Sequence, residues 1–253
     1  MKILITNDDG IYAEGILCLA NALNKIGDVV VAAPDRQRSA TGHAITMHEP
    51  LRAKKVKLFE QDFEAWAISG TPADCVKLAI ESLMTSKPNI IFSGINDSPN
   101  LGTDVLYSGT VSAAIEGAIL GYPSVAVSLA DFRNLNYEYA AEFCCDLATK
   151  IMQNKLPADT LLNVNIPNCP KEEIKGVDIT TLSVRKYKNS FIERIDPRGD
   201  VYYWLGGEII KQKSIQGTDT YSIQNKSISI TPIHFDLTKF DLIDRIKEWK
   251  ISL

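Results

Sequence analysis

The sequence predicts an α/β protein built on a Rossmann-like, mostly parallel sheet sandwiched by helices, and three observations carry that expectation. Short runs of Val, Ile and Ala alternate with segments of ten or more residues whose apolar positions recur at helical spacing. The opening residues, 2–34, already read as one β-α-β unit. The chain has 253 residues, of which 45% are hydrophobic and 23% charged, a composition able to bury a large core, so disordered and fibrous classes are excluded. Gly and Pro follow no period and no internal repeat is visible.

Each element has its own signal. Lys2–Thr6 reads as a short buried strand, and Ala13–Lys25 as a helix with Ile16, Leu17, Leu19, Ala20 and Leu23 on one face, stopped by Gly27. Asp28–Pro34 is a nearly continuous Val/Ala strand, as expected where helices cover both faces of a parallel sheet. Arg36–Gly42 is a polar loop, and Ala44–His48, Leu51–Leu58 and Glu64–Ser69 are predicted to form antiparallel hairpins. Pro72 opens a helix running to about Met84, Asn89–Ser93 is a buried strand, and Thr110–Leu120 is a small-residue helix closed by Gly121. Ser124–Leu129, Tyr137–Gln153 and Leu161–Ile166 add strand, helix and strand.

The last third changes character. Val177–Val184, Ser190–Ile195 and Val201–Leu205 read as hairpin strands around the turn Asp196-Pro197-Arg198-Gly199. Ser227–Ile230 is a further strand and Phe240–Trp249 a terminal amphipathic helix. The expectation is one domain over residues 1–253, with a core at about 1–170 and a β-rich excursion and C-terminal segment at about 176–253.

A net charge of −4 argues against binding of nucleic-acid polymers and requires that any anionic substrate be held by local positive fields, backbone NH groups or a metal. Met1–Thr6 meets Asn7, Asp8 and Asp9 too soon for a secretory signal, and no apolar run approaches the ~18 residues needed to span a membrane. Five cysteines, an odd number without CxxC spacing, predict reduced thiols and a cytoplasmic protein. Three dispersed histidines and no HExxH argue against a histidine-based metal centre. GxxxxGK[ST], GxGxxG after a strand, GxSxG and the kinase signatures are all missing, which removes P-loop, dinucleotide and α/β-hydrolase readings.

In open α/β sheets ligands bind beyond the carboxyl ends of the strands, which directs attention to Asn7-Asp8-Asp9-Gly10, to Pro34–Ser39 and to Gly94-Ile95-Asn96-Asp97. Adjacent carboxylates repel, and a cation relieves that repulsion; Asp8 and Asp9 are therefore either a metal site or a solvated turn in which one Asp caps the next helix. Ser39 and Asn96 offer a hydroxyl and an amide that would complete an all-oxygen set suited to Mg²⁺ or Mn²⁺, although each alone is ordinary turn chemistry. Arg36 and Arg38 either meet phosphate or lie on plain surface. The long Gly/Asn/Asp/Ser-rich segment 96–110 ends with Ser108, Gly109 and Thr110 at a helix start, which is either an anion site or a simple N-cap. Thr71 before Pro72 reads as an N-cap. A spacing of five puts His43 and His48 on opposite faces of a strand, and His234 is read as structural or interfacial.

These segments, together with Ala33-Pro34-Asp35, Ser69-Gly70-Thr71-Pro72-Ala73-Asp74-Cys75-Val76, Tyr107-Ser108-Gly109-Thr110-Val111 and Ser229-Ile230-Thr231-Pro232, resemble the SurE family of stationary-phase survival protein nucleotidases over essentially the whole chain. The resemblance implies a metal-dependent phosphatase that hydrolyses nucleoside 5′- and 3′-monophosphates, and in some members short polyphosphate, by metal-activated water. It implies one divalent cation per subunit on Asp8, Asp9, Ser39 and Asn96, with Asp8 and Asp9 catalytic and Asn100, Ser108, Gly109 and Thr110 on the substrate. It also implies a β-hairpin excursion and an exchanged C-terminal segment that build homodimers or homotetramers. The family usually places a glycine two residues after the metal-binding Asn, where this chain has Ser98 followed by Pro99. The alternatives are a metal-dependent deacetylase, disfavoured by the lack of a histidine near Asp8 and Asp9, and a nucleotide-sensing module without turnover.

Overall fold

A computed structural model describes residues 1–58, 63–131, 135–157, 159–189, 191–210 and 214–251. Its centre is a nine-stranded sheet. The strands are β1 (Lys2–Thr6), β2 (Asp28–Pro34), β3 (Ala53–Val56), β4 (Glu64–Ile68), β5 (Ile90–Asn96), β6 (Ser124–Leu129), β7 (Thr160–Ile166), β8 (Val177–Ile179) and β13 (Ile228–His234), in the spatial order β3-β4-β2-β1-β5-β6-β7-β13-β8. The six from β4 to β7 in that order are mutually parallel, and counted among themselves they follow the 3-2-1-4-5-6 order of doubly wound folds. β3 closes one edge antiparallel to β4, and β13 pairs antiparallel with β7 and parallel with β8 at the other.

Helices cover both faces. Ile3, Ile5, Val29, Val31 and Phe92 pack under α1 (Glu14–Leu23) and α4 (Glu138–Asn154), while Leu4, Val30, Ala32 and Ile91 pack under α2 (Pro72–Leu78) and α3 (Gly109–Ile119). Because both sides of each central strand are dry, the strands read as continuous apolar runs rather than alternating ones. Each fully buried Ile or Leu contributes roughly 1.5–3 kcal/mol. The predicted N-cap is observed: Thr71 and Asp74 form a reciprocal capping box at the start of α2. Gly121, at φ +84°, ends α3 in the left-handed region.

Ala44–His48 is not a strand. Its backbone is held by side chains instead: Asp74 accepts from the amide and hydroxyl of Thr46, and the Thr71 hydroxyl donates to the Ala44 carbonyl. Leu51–Leu58 contracts to β3 and Val177–Val184 to β8, since only those residues find a ladder partner. A short helix, α5 (Asp219–Gln224), and a 3₁₀ turn at Gly102–Leu106 were not signalled by periodicity.

The last third is divided in its role. β8 and β13 join the main sheet, whereas β10 (Phe191–Ile195) and β11 (Val201–Leu205) form a separate hairpin, and β9 (Tyr187–Lys188) pairs only with β12 (Glu208–Ile209). Every residue of β10 and β11 is exposed, and so is every residue of the terminal helix α6 (Phe240–Lys247). Among the described residues, no helix is long and apolar enough to cross a membrane.

Candidate active site

The crossovers from β1 and β5 run in opposite directions along the sheet, so a crevice opens between their carboxyl ends. Asn7 shapes the first wall. Its side chain donates to the Gly10 carbonyl at 2.9 Å and accepts from the Gly10 amide at 3.1 Å, and Gly10 adopts φ +104°. Asn7 therefore makes the turn, and neither Asp8 nor Asp9 caps α1, whose N-cap is Ala13 without a side-chain bond.

Asp8 is buried against the start of α3. The Thr110 hydroxyl donates to its Oδ1 at 2.5 Å, and a Cβ on Gly109 would stand 2.7 Å from the Asp8 Cβ and 2.8 Å from its Oδ2. Burial raises the Asp8 carboxyl above its usual range, and hydrogen bonds from the hydroxyl and backbone of Thr110 oppose the rise. Asp9 is pushed up to about 7, first by burial, then by Asp8 and Asp97, against hydrogen bonds from the Asp97 backbone and the Gln37 side chain. Its Oδ1 is buried with no partner.

Ser39 reaches this spot through the backbone, because the Arg38 amide donates to the Asp8 carbonyl at 2.7 Å. Gln37 belongs to the same loop: its amide nitrogen donates to the Ser39 hydroxyl at 3.0 Å, and its side chain is among the groups that lower the Asp9 carboxyl. Asn96 ends β5 after a register shift against β6, at which Gly94 takes φ +140° with no room for a Cβ beside the Val127 carbonyl. Its amide nitrogen donates to the Ser98 carbonyl at 2.7 Å and hydroxyl at 3.1 Å, which leaves its oxygen as the atom a cation would take. Among the described residues no three His, Cys, Asp or Glu form a metal-binding group. The donor set is two carboxylates, a hydroxyl and an amide oxygen, and the orphaned Asp9 oxygen beside the like charges of Asp8 and Asp97 fits a hard divalent cation.

Other residues singled out in the sequence have partners within the chain. Ser108 caps α3 by accepting from the Val111 amide at 3.1 Å. Thr110 directs its hydroxyl to Asp8, so the helix N-terminus holds a carboxylate of the chain itself. Asn100 lies beneath the loop: its amide nitrogen donates to Ser128, its own amide to Asn165, and its carbonyl accepts from Asn163 and Asn165. Arg36 is exposed and paired with Asp35, whereas Arg38 donates to the Ser69 carbonyl. His43 leaves His48 aside and bonds Glu116 of α3 at 2.9 Å, tying the Ser39 loop to that helix.

The family profile described as Survival protein SurE matches residues 3–189. The chain belongs to the SurE family. This SurE-family chain is 53% identical over 253 residues to a protein named 5′-nucleotidase SurE in Alkaliphilus metalliredigens, with each chain covered in full. It is 53% identical over 257 residues to the protein of that name in Carboxydothermus hydrogenoformans, covering 100% of this chain and 97% of the relative. The crystal structure of the SurE protein from Aquifex aeolicus superimposes with a TM-score of 0.86 at 43% identity, covering 99% of this chain and 100% of that one.

Within this SurE-family fold, Gln37 and Asp97, which lie in the strand-end segments but were given no role there, bear on Asp9, while Asn163 and Asn165, not singled out in the sequence, hold Asn100. The two asparagines did leave a signal. Polar residues at alternate positions of the buried Leu161–Ile166 run have no place on a dry strand unless they bond something specific. Ser98 puts a hydroxyl on the Asn96 amide.

Proposed function

We propose that this SurE-family chain is a divalent-cation-dependent phosphatase that converts nucleoside 5′-monophosphates, and with them 3′-monophosphates and short polyphosphate, by attack of water. The observation that carries the reading is the crevice between β1 and β5, where the Oδ1 of Asp9 is buried without a partner and burial, Asp8 and Asp97 all raise the Asp9 carboxyl. Asp8, Asp9, Ser39 and Asn96 would hold one Mg²⁺ or Mn²⁺ per subunit. When bound, that cation would polarise a phosphate oxygen and acidify water.

The residues of the chain do the rest. Thr110 fixes the orientation of Asp8, so Asp9 is the carboxylate left to accept a proton from the attacking water. The Gly109 amide and the Ser108 hydroxyl, at the N-terminus of α3, stabilise charge on the transferring phosphoryl oxygens. With its side-chain nitrogen on Ser128, Asn100 supports the loop from below.

The exposed apolar side chains of the hairpin and α6, with Trp204 at 65% and Trp249 at 64% exposure, are those of an assembling protein, and we read the chain as a homodimer or homotetramer. All five cysteines are free, in keeping with a cytoplasmic protein. Phosphate release from AMP and GMP under Mg²⁺ or Mn²⁺ tests the reading. Release that persists after chelation, or in Asp9→Ala, overturns the cation-dependent mechanism. Acetate release from an acetylated glucosamine derivative, or stoichiometric AMP binding without turnover, would replace it.

A further inference from the structure

The loop that delivers Ser108, Gly109 and Thr110 is anchored at three points, and two of the anchors come from the last third of the chain. Asn100 is pinned to β6 and β7 by Ser128, Asn163 and Asn165. Two residues on, the Gly102 amide donates to Asp219 Oδ2 at 2.6 Å, while Oδ1 of the same carboxylate accepts from the Ser183 amide at 2.9 Å. Asp219 is fully buried. Gly102 itself takes φ +56°, and a Cβ there would lie 2.5 Å from the Ser183 carbonyl, so the two segments touch backbone to backbone. Next, Asp104 Oδ2 accepts from both Arg185 Nη1 and the Tyr187 hydroxyl, each at 2.6 Å, and the Thr103 hydroxyl donates to the Arg185 carbonyl at 3.0 Å. None of these four donors or acceptors from the last third touches Asp8, Asp9, Ser39 or Asn96 in the bonds described above.

We propose that Asp219 is a positioning residue for the reaction, acting through Gly102, and that Arg185 and Tyr187 act with it through Asp104. The clamped residues open the 3₁₀ turn Gly102–Leu106, which leads through Tyr107 into the N-cap Ser108, so the clamps bear on the approach to an α3 N-terminus that Thr110 already ties to Asp8. A displacement of about 1 Å there removes stabilisation of the developing phosphoryl charge while leaving the cation ligands in place. Arg185 and Tyr187 also lead into the hairpin β10–β11, so the arm and the catalytic loop share one set of bonds.

The inference rests on the phosphatase reading above, and one experiment separates the two. Purified full-length parent, Asp219→Asn, Asp104→Ala and Asp104→Asn are compared for AMP turnover, for Mn²⁺ affinity by electron paramagnetic resonance, and for amide exchange at Gly102 and Ser183. Asp219→Asn is expected to lower kcat by about 10-fold or more with KM changed by less than about 3-fold. Its Mn²⁺ affinity stays at the parent value, and both amides exchange faster. Asp104→Ala shows the same pattern, and Asp104→Asn recovers most of the loss, because one oxygen receives both donors and an amide oxygen can replace it. Unchanged kcat in folded Asp219→Asn overturns the proposal, as does loss of Mn²⁺ affinity in step with turnover. If Asp219→Asn fails to fold, Asp104→Ala with parent kcat overturns it equally. Absence of phosphate release by the parent defeats the phosphatase reading instead, and unchanged Gly102 exchange in Asp219→Asn then defeats the clamp on its own.

Discussion

Thr110 donates its hydroxyl to Asp8 Oδ1 at 2.5 Å, joining the first turn of α3 to the turn that follows β1 across 102 residues of sequence. Both partners are buried, so no water replaces the bond if it is lost. Hydrogen bonds to charged groups are worth about 1.5–3 kcal/mol, and a buried carboxylate stripped of its donor carries a desolvation penalty besides. Thr110→Val is expected to lower stability by about 2 kcal/mol and to reduce turnover of AMP, while Thr110→Ser keeps most of both. Urea unfolding and phosphate release on the same preparations check this.

Asp8 and Asp97 both raise the Asp9 carboxyl, so addition of a cation should stabilise the fold by mass action. Mn²⁺ at about 100 times its dissociation constant should add about 2.7 kcal/mol to the parent. Asp9→Asn should abolish that gain and nearly all turnover. Thermal unfolding with and without Mn²⁺, before and after chelation, measures it.

Gly109 has no room for a side chain, since a Cβ would press on the Asp8 carboxylate at 2.7–2.8 Å. Gly109→Ala should improve helix propensity and still destabilise the protein, by about 1–3 kcal/mol of overpacking, with AMP turnover lost. A stabilised and active Gly109→Ala protein would contradict the placement of Asp8.

Glu116 is buried in α3 and bonded to His43, with Lys77 beside it. The His43 hydrogen bond, and then Lys77, hold its carboxyl below the usual range against the opposing effect of burial. A depressed folded-state value means the bond stabilises the fold above the unfolded carboxyl value of about 4.3 and is lost as pH falls through the lower folded value. Glu116→Gln is accordingly expected to be about 1–2 kcal/mol less stable than the parent at pH 6, with the gap closing below about pH 4. Urea unfolding across pH 3–7, with ~ unit steps, resolves the trend.

The proposed homo-oligomer would cover the exposed aromatic and aliphatic side chains of α6 and of the hairpin. Replacing Trp204 and Trp249 by Glu should shift the chain toward monomers in light scattering coupled to size exclusion.

Much of this protein was fixed by local sequence. β1, β2 and β6 fall on the residues that their Val, Ile and Leu runs mark, and Pro72, Gly121 and the Asp196–Gly199 turn act where backbone chemistry says they must. The Asn-Asp-Asp-Gly turn, the small-residue helix start and the strand-end rule were enough to bring Asp8, Asp9 and Asn96 to one edge. Tertiary structure alone decided how those residues are used. That Thr110 faces Asp8, that Asn100 is held from β7, and that Asp219 reaches Gly102 across 117 residues all depend on side chains distant in sequence. Periodicity reports which face of an element is dry; it carries no information on which buried donor meets which acceptor, because that pairing is set only when the elements pack.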